Sequence, residues 1–305
     1  SGADSNKTSL SFRQPGFLNR DLTFAIGIGS RKTNQQFSAY DSEVTEINPS
    51  LSFPLSRRSR LKFNYRYADE TLTSKSSSLS PGISAQNGTK EINSVGYQYF
   101  LDSKKDSIDP NKSSYIRFSQ NYSTSNSNFS HIRSTALVKQ SRNILRDEVS
   151  VSAAFEFGHL SQIEGKSRVT DRFTTFSRQM RGFKAAGIGP RDLYSTNKDP
   201  LGGQYFAVAR FESDFSIGVP EEYGMRAAVF LDAGSVWGLD NRIGTSGSSQ
   251  PGGLVDDKFY LRSTLGAGLL WSTPIGPLRF DFTKAIKKES YDQPESFNFS
   301  LSTKF

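Results

Sequence analysis

Almost nothing in this 305-residue chain repeats with the period of a helix. What recurs is period-2 alternation, in stretches of about 9–11 residues, the length of a tilted membrane strand. In residues 60–67, Leu61, Phe63, Tyr65 and Tyr67 share one face, and Arg60, Lys62, Asn64 and Arg66 share the other. Leu22, Phe24, Ile26 and Ile28 alternate with Thr23, Ala25, Gly27 and Gly29. Leu278, Phe280 and Phe282 oppose Arg279, Asp281 and Thr283. Phe259, Leu261, Leu265, Leu269 and Trp271 oppose Tyr260, Arg262, Thr264, Gly266 and Gly268. Successive side chains of a strand point to opposite faces, so the fold class is all-β.

Alternation alone fits two architectures. In a soluble sandwich the apolar face is the core. In a membrane barrel the apolar face meets lipid and the polar face lines the lumen. Three features favour the barrel. Polar faces carry charges of both signs, as with Arg210, Glu212 and Asp214 within Tyr205–Phe215. Glycines fall on the polar faces. Aromatic residues gather near strand ends (Tyr97, Tyr99, Trp237, Trp271, Phe305), where interfacial girdles sit. A mean hydropathy of −0.53 does not oppose a barrel, because alternating strands average out as polar. A helical membrane protein is excluded, since no stretch nears about 18 apolar residues.

The pattern predicts about fourteen strands, centred on Leu10, Ile26, Ile47, Phe63, Tyr97, Phe118, Leu137, Val151, Phe173, Ala209, Val229, Leu265, Phe280 and Phe299. Connections fall into two lengths. Ser56-Arg57-Arg58-Ser59 and Thr273-Pro274-Ile275-Gly276-Pro277 are tight turns, whereas Thr73–Asn93, Gly158–Arg168, Arg181–Gly203 and Gly238–Asp256 are long. Short periplasmic turns and long external loops are the usual asymmetry of an outer-membrane barrel. No internal boundary appears, so residues 1–305 are expected to form one barrel domain with no soluble domain. The chain opens without an initiator Met or an apolar leader, as expected of a processed protein or an excised part.

Few residues offer chemistry. With no Cys and only His131 and His159, thiolate zinc sites and His-based dyads are out of reach. Asp102, Asp106 and Asp109 lack the Gly and Glu spacing of a calcium loop, and no G-x-S-x-G elbow occurs. The net charge of +8 suits anionic lipid, lipopolysaccharide or nucleic acid. Strict in/out alternation explains basic–aromatic runs such as Lys62-Phe63-Asn64-Tyr65-Arg66 without a nucleic-acid partner. The longest loop starts Gln179-Met180-Arg181-Gly182-Phe183, and its Gly and Pro density points to defined turns. Folded inward, it would bring Arg181 to Glu212 or Asp232. Folded outward, its arginine meets only solvent, and the residues alone leave both arrangements open.

Several segments in Asp171–Phe305 resemble, in order and spacing, the BamA family of outer-membrane assembly factors. They are Arg181-Gly182-Phe183, Gly187-Ile188-Gly189-Pro190-Arg191-Asp192, Leu201-Gly202-Gly203, Phe230–Trp237, Ser272–Phe282, Lys288–Asp292 and a terminal strand ending in Phe305. Looser matches upstream are Leu10-Ser11-Phe12 through Phe17-Leu18, Phe53-Pro54-Leu55 and Gly96–Pro110. The resemblance implies an antiparallel transmembrane β-barrel in the bacterial outer membrane, sixteen strands in the family. It also implies a sixth external loop folded into the lumen, where Met180, Arg181, Gly182 and Phe183 lie and Arg181 meets Glu212 and Asp232. The Leu10–Ile28 hairpin looks like the family's third and fourth strands, so the first pair and the soluble POTRA domains are expected to lie outside this chain.

The terminal strand, Phe297, Asn298, Phe299, Ser300, Leu301 and on to Phe305, resembles the signal by which such proteins are recognised. In the family it pairs weakly with the first strand, making a lateral seam. Pro294, just before it, lacks a donor and would weaken pairing there or simply start the strand. The implied function is insertion of β-barrel proteins into the outer membrane. It is not enzymatic and takes no cofactor or metal. Implied partners are nascent outer-membrane β-barrel proteins, accessory lipoproteins held through POTRA domains, and lipid and lipopolysaccharide. A polypeptide-secreting transporter of the two-partner kind and a passive porin are the rival readings, with an outer-membrane hydrolase behind them.

Overall fold

The structure is a computed structural model and describes residues 4–34, 40–75, 80–103, 112–126, 128–145, 148–175, 179–193, 195, 198–240, 255–274 and 276–301. Thirteen strands are described: β1 Asp4–Pro15, β2 Thr23–Asn34, β3 Tyr40–Pro54, β4 Ser59–Ser74, β5 Gly88–Asp102, β6 Lys112–Ser125 and β7 Phe129–Ile144, followed by β8 Val149–Glu164, β9 Tyr205–Ser216, β10 Met225–Trp237, β11 Arg262–Thr273, β12 Gly276–Lys287 and β13 Phe297–Leu301. They form one sheet in chain order, each pairing antiparallel with the next. Among the described residues β1 and β13 each have one neighbour. With thirteen antiparallel strands those two edges run the same way, so an antiparallel closure needs further strands.

Register fixes which side chains face in. Leu10 lies opposite Ile28, Phe282 opposite Phe297, and Phe280 opposite Phe299, all on the outer face. Thirty large apolar side chains of the described residues are exposed there or at the turns, Leu10 at 77% and Phe282 at 59%. Keeping such groups in water instead of an apolar medium costs about 1.5–3 kcal/mol each, so this face is built for hydrocarbon. The inner face carries the charges, with Asp232 and Arg262 buried to 0% and 1% exposure. An outer aromatic belt runs His159–Tyr205–Trp237–Phe259, with ring centroids 4.4, 5.4 and 4.9 Å apart. His159 thus belongs to the belt, while buried His131 stacks on Phe129 inside.

The strand expected at Phe173 does not exist. Asp171, Arg172 and Phe173 are all buried, and Phe173 pairs with Gly203 alone, through two backbone hydrogen bonds of 2.8 and 2.9 Å. The Phe173 ring lies 5.0 Å from that of Phe206 and under the Arg133 guanidinium, 4.0 Å away. These contacts are packing inside the lumen, not sheet pairing. The connection expected at Gly158–Arg168 also starts later, since β8 runs on to Glu164. Residues 165–204 therefore form one long connection. Its described residues pack inside the lumen, with Met180, Phe183 and Ile188 against Phe206, Val208 and Val236. A second apolar cluster, including Leu72, Ile83, Val169, Leu201 and Leu239, roofs the long-loop end.

Candidate functional site: the arginine lock in the lumen

The sequence sets Arg181 in a tight turn. Gly182 takes φ +85°, the left-handed region that favours glycine. A Cβ there would sit 2.5 Å from the Thr264 Cγ2 methyl on β11. Met180 and Phe183, both fully buried, anchor the turn in the luminal apolar cluster. That geometry aims Arg181 at β9 and β10, where alternation turns Glu212 and Asp232 inward.

Arg181 donates to Asp232 three times: from its backbone N at 3.1 Å, from Nε at 2.8 Å and from Nη2 at 2.6 Å. Nη1 donates to Glu212 Oε2. The guanidinium also lies 3.6 Å from the Phe230 ring centroid, and Thr264 Oγ1 donates to the Arg181 carbonyl at 2.8 Å. Both expected acids thus meet the arginine, and the exposed-loop alternative is overturned.

Sequence reasoning missed the rest of the network. Arg279 donates to Glu212 at 3.0 and 2.7 Å and to Asp281 at 2.8 and 3.0 Å. Arg210 binds Glu156 at 3.2 Å and the Gln179 carbonyl at 3.0 Å. Alternation places Arg279 and Asp281 on a polar face, but nothing in one sequence says which inward charges become neighbours across the lumen.

The lock reaches the terminal strand through the chain before it. Gly182 accepts from Glu295 N at 2.9 Å, Lys184 N donates to Gln293 O at 3.0 Å, and Phe183 bridges Pro294. Pro294 therefore sits against the inner loop rather than in the β12–β13 ladder. Arg262 at the head of β11 grips Asp292, 2.9 and 3.1 Å, with both side chains almost fully buried. This pair gives the Lys288–Asp292 segment a role that sequence left unassigned. In the external connections, the Tyr260 phenol donates to Asp256 at 2.7 Å, which pushes its pKa up to about 12.

On the terminal strand, Phe297, Phe299 and Leu301 face outward, while Asn298 and Ser300 line a luminal cavity of about 310 Å³ with Arg181, Arg279 and Asp281. Phe305 lies outside the described residues, as do Thr303, Asp106 and Asp109. Among the described residues no group of acids and histidines is arranged to hold a metal ion.

The Omp85 superfamily domain matches this chain over residues 1–305. The chain belongs to the Omp85 superfamily. Within it, the sequence is 25% identical over 299 residues to the outer membrane protein assembly factor BamA of Neorickettsia risticii, covering 97% of this chain and 39% of that protein. It is 27% identical over 222 residues to the sorting assembly machinery 50 kDa subunit of Saccharomyces cerevisiae, covering 69% of this chain and 43% of the relative. The fold is similar to the crystal structure of Haemophilus ducreyi BamA lacking POTRA domains 1–3, with a TM-score of 0.81 at 20% identity, covering 97% of this Omp85 chain and 61% of that one. The chain thus spans about two fifths of the length of these curated relatives.

Proposed function

We propose that residues 1–305 are the outer-membrane barrel domain of an insertase that folds β-barrel proteins into the outer membrane by strand pairing at a lateral seam. The observation that carries this reading is the terminal strand. β13 pairs with β12 along one edge, and its other edge has no partner among the described residues. A strand edge presents a row of N–H and C=O groups that an incoming strand can satisfy. In hydrocarbon no water competes for them, so the drive to pair is stronger there and needs no nucleotide hydrolysis. The BamA and sorting-machinery relatives support the same assignment.

In this reading Phe297, Phe299 and Leu301 face lipid or client, Asn298 and Ser300 face the lumen, and Phe305 completes the strand. Met180, Arg181, Gly182 and Phe183, locked to Glu212 and Asp232, hold the chain before β13 in place. The role is structural and non-enzymatic, without cofactor or metal. Partners are unfolded outer-membrane β-barrel chains, accessory lipoproteins bound elsewhere on the parent protein, and lipid with lipopolysaccharide. Counted from the inward loop as a sixth external loop in a sixteen-strand barrel, β1 would stand fourth, one place later than the Leu10–Ile28 resemblance suggested.

The test is reconstitution. The full-length parent protein in liposomes should speed insertion of an unfolded barrel client, followed by heat-modifiable migration, over empty liposomes. Equal rates would contradict the proposal, and large steady ion currents from the intact protein would favour the porin.

A further inference from the structure

Most inward arginines of the lumen have acidic neighbours: Arg66 has Glu46, Arg210 has Glu156, Arg226 has Asp214, and Arg279 has Glu212 and Asp281. The short-turn end of β1–β5 is different. There a cavity of about 400 Å³ is lined by Arg13, Arg57, Arg58, Arg60 and Lys62, with Asp102 as its one acid. Arg13 lies opposite Ala25, Lys62 opposite Ser52, and Arg60 opposite Pro54 and Phe100, which places Arg13, Arg60 and Lys62 on the inner face. Phe100 in turn lies opposite Arg117 on β6, a further inward cation. Arg58 and Asp102 are already engaged. Arg13, Arg57, Arg60 and Lys62 make no side-chain hydrogen bond or ion pair to a described residue.

We propose that this cavity is a binding site for a phosphate-bearing anion. Cations of one sign crowded into a concave wall repel one another and raise the local concentration of anions. Arginine forks match the oxygens of a phosphate, and the hydroxyls of Ser50, Ser52 and Tyr115 on the same lining supply further donors. The volume suits a compact polar headgroup better than an extended polypeptide. Two sources carry this chemistry. One is a soluble phosphate compound entering the lumen mouth. The other is the headgroup of an anionic phospholipid, reaching in over the rim at Arg57. The inference rests on the in/out assignment of the strands and is independent of the insertase reading.

The experiment uses the full-length parent protein with wild-type residues, with Arg60→Gln/Lys62→Gln, and with Lys139→Gln as a control elsewhere on the luminal wall. Heat-modifiable migration confirms that each is folded. Pyrophosphate binding in detergent is measured by calorimetry at physiological salt. Retention of phosphatidylglycerol against phosphatidylcholine is measured by mass spectrometry after stepwise delipidation. The proposal expects the double variant to weaken at least one of these by about tenfold or more, from the loss of charge-assisted hydrogen bonds, with the control unchanged. Loss of pyrophosphate binding alone identifies a soluble ligand, and loss of phosphatidylglycerol retention alone identifies a headgroup. Equal behaviour of all three proteins overturns the site. So does binding of an acidic peptide where neither phosphate ligand binds, which would make it a polypeptide contact.

Discussion

Arg181→Ala should release the inner loop. Asp232 is fully buried, and its carboxylate accepts from Arg181 Nε, Nη2 and backbone N. The substitution leaves only the backbone donor. Stranding a buried charge this way costs about 3–5 kcal/mol, and loss of the contact with Phe230 adds to it. At about 1.4 kcal/mol per factor of ten, the open population of the loop rises by about a hundred- to several-thousand-fold. Hydrogen exchange reads this directly at the Lys184 amide, which donates to Gln293 in the closed loop. Glu212→Gln is the comparison. It leaves Arg181 on Asp232 and Arg279 on Asp281, so exchange should rise by no more than about tenfold. Unchanged exchange in Arg181→Ala, or equal rises in the two variants, would refute the account of the lock.

Gly182→Ala should open the same loop without touching a charge, because its Cβ would collide with Thr264 and its φ of +85° suits glycine; exchange at Lys184 again reports it. Arg262→Met should lower the urea midpoint in detergent by the equivalent of about 3–5 kcal/mol, and adding Asp292→Leu should recover much of that loss. Tyr260 should ionise near pH 12 in an absorbance titration, and Asp256→Asn should bring it back toward about 10. Since folding raises this phenol's pKa, its contribution to stability is present below about pH 10 and is lost as pH climbs through the folded value. Deleting residues 179–203 from the full-length protein should turn small, unstable currents in planar bilayers into large steady ones.

The architecture was legible because a sheet with one lipid face writes period 2 into every strand. Leu278–Thr283 displays it, and the structure pairs that segment on both sides. Phe173 misled because apolar residues of a loop packed inside a lumen look in sequence like those of a strand. Its buried neighbours Asp171 and Arg172 serve Lys90 and Asp240, and one sequence does not reveal partners that distant. The inward loop was visible only as turn chemistry around Gly182 and as a family resemblance. Which acids it would meet followed from strand parity, since Glu212 and Asp232 lie opposite Phe230 and Arg210 on inward positions of β9 and β10. Arg262–Asp292 was not legible, because Asp292 lies thirty residues on from Arg262, outside any strand that alternation describes.

The central claim is that the terminal strand offers its edge to other chains. Photo-crosslinking residues at Asn298 and Ser300, in the full-length protein in cells, test it most directly. The account predicts adducts with many different outer-membrane barrel precursors. No adducts, or adducts with a single secreted polypeptide, would contradict it.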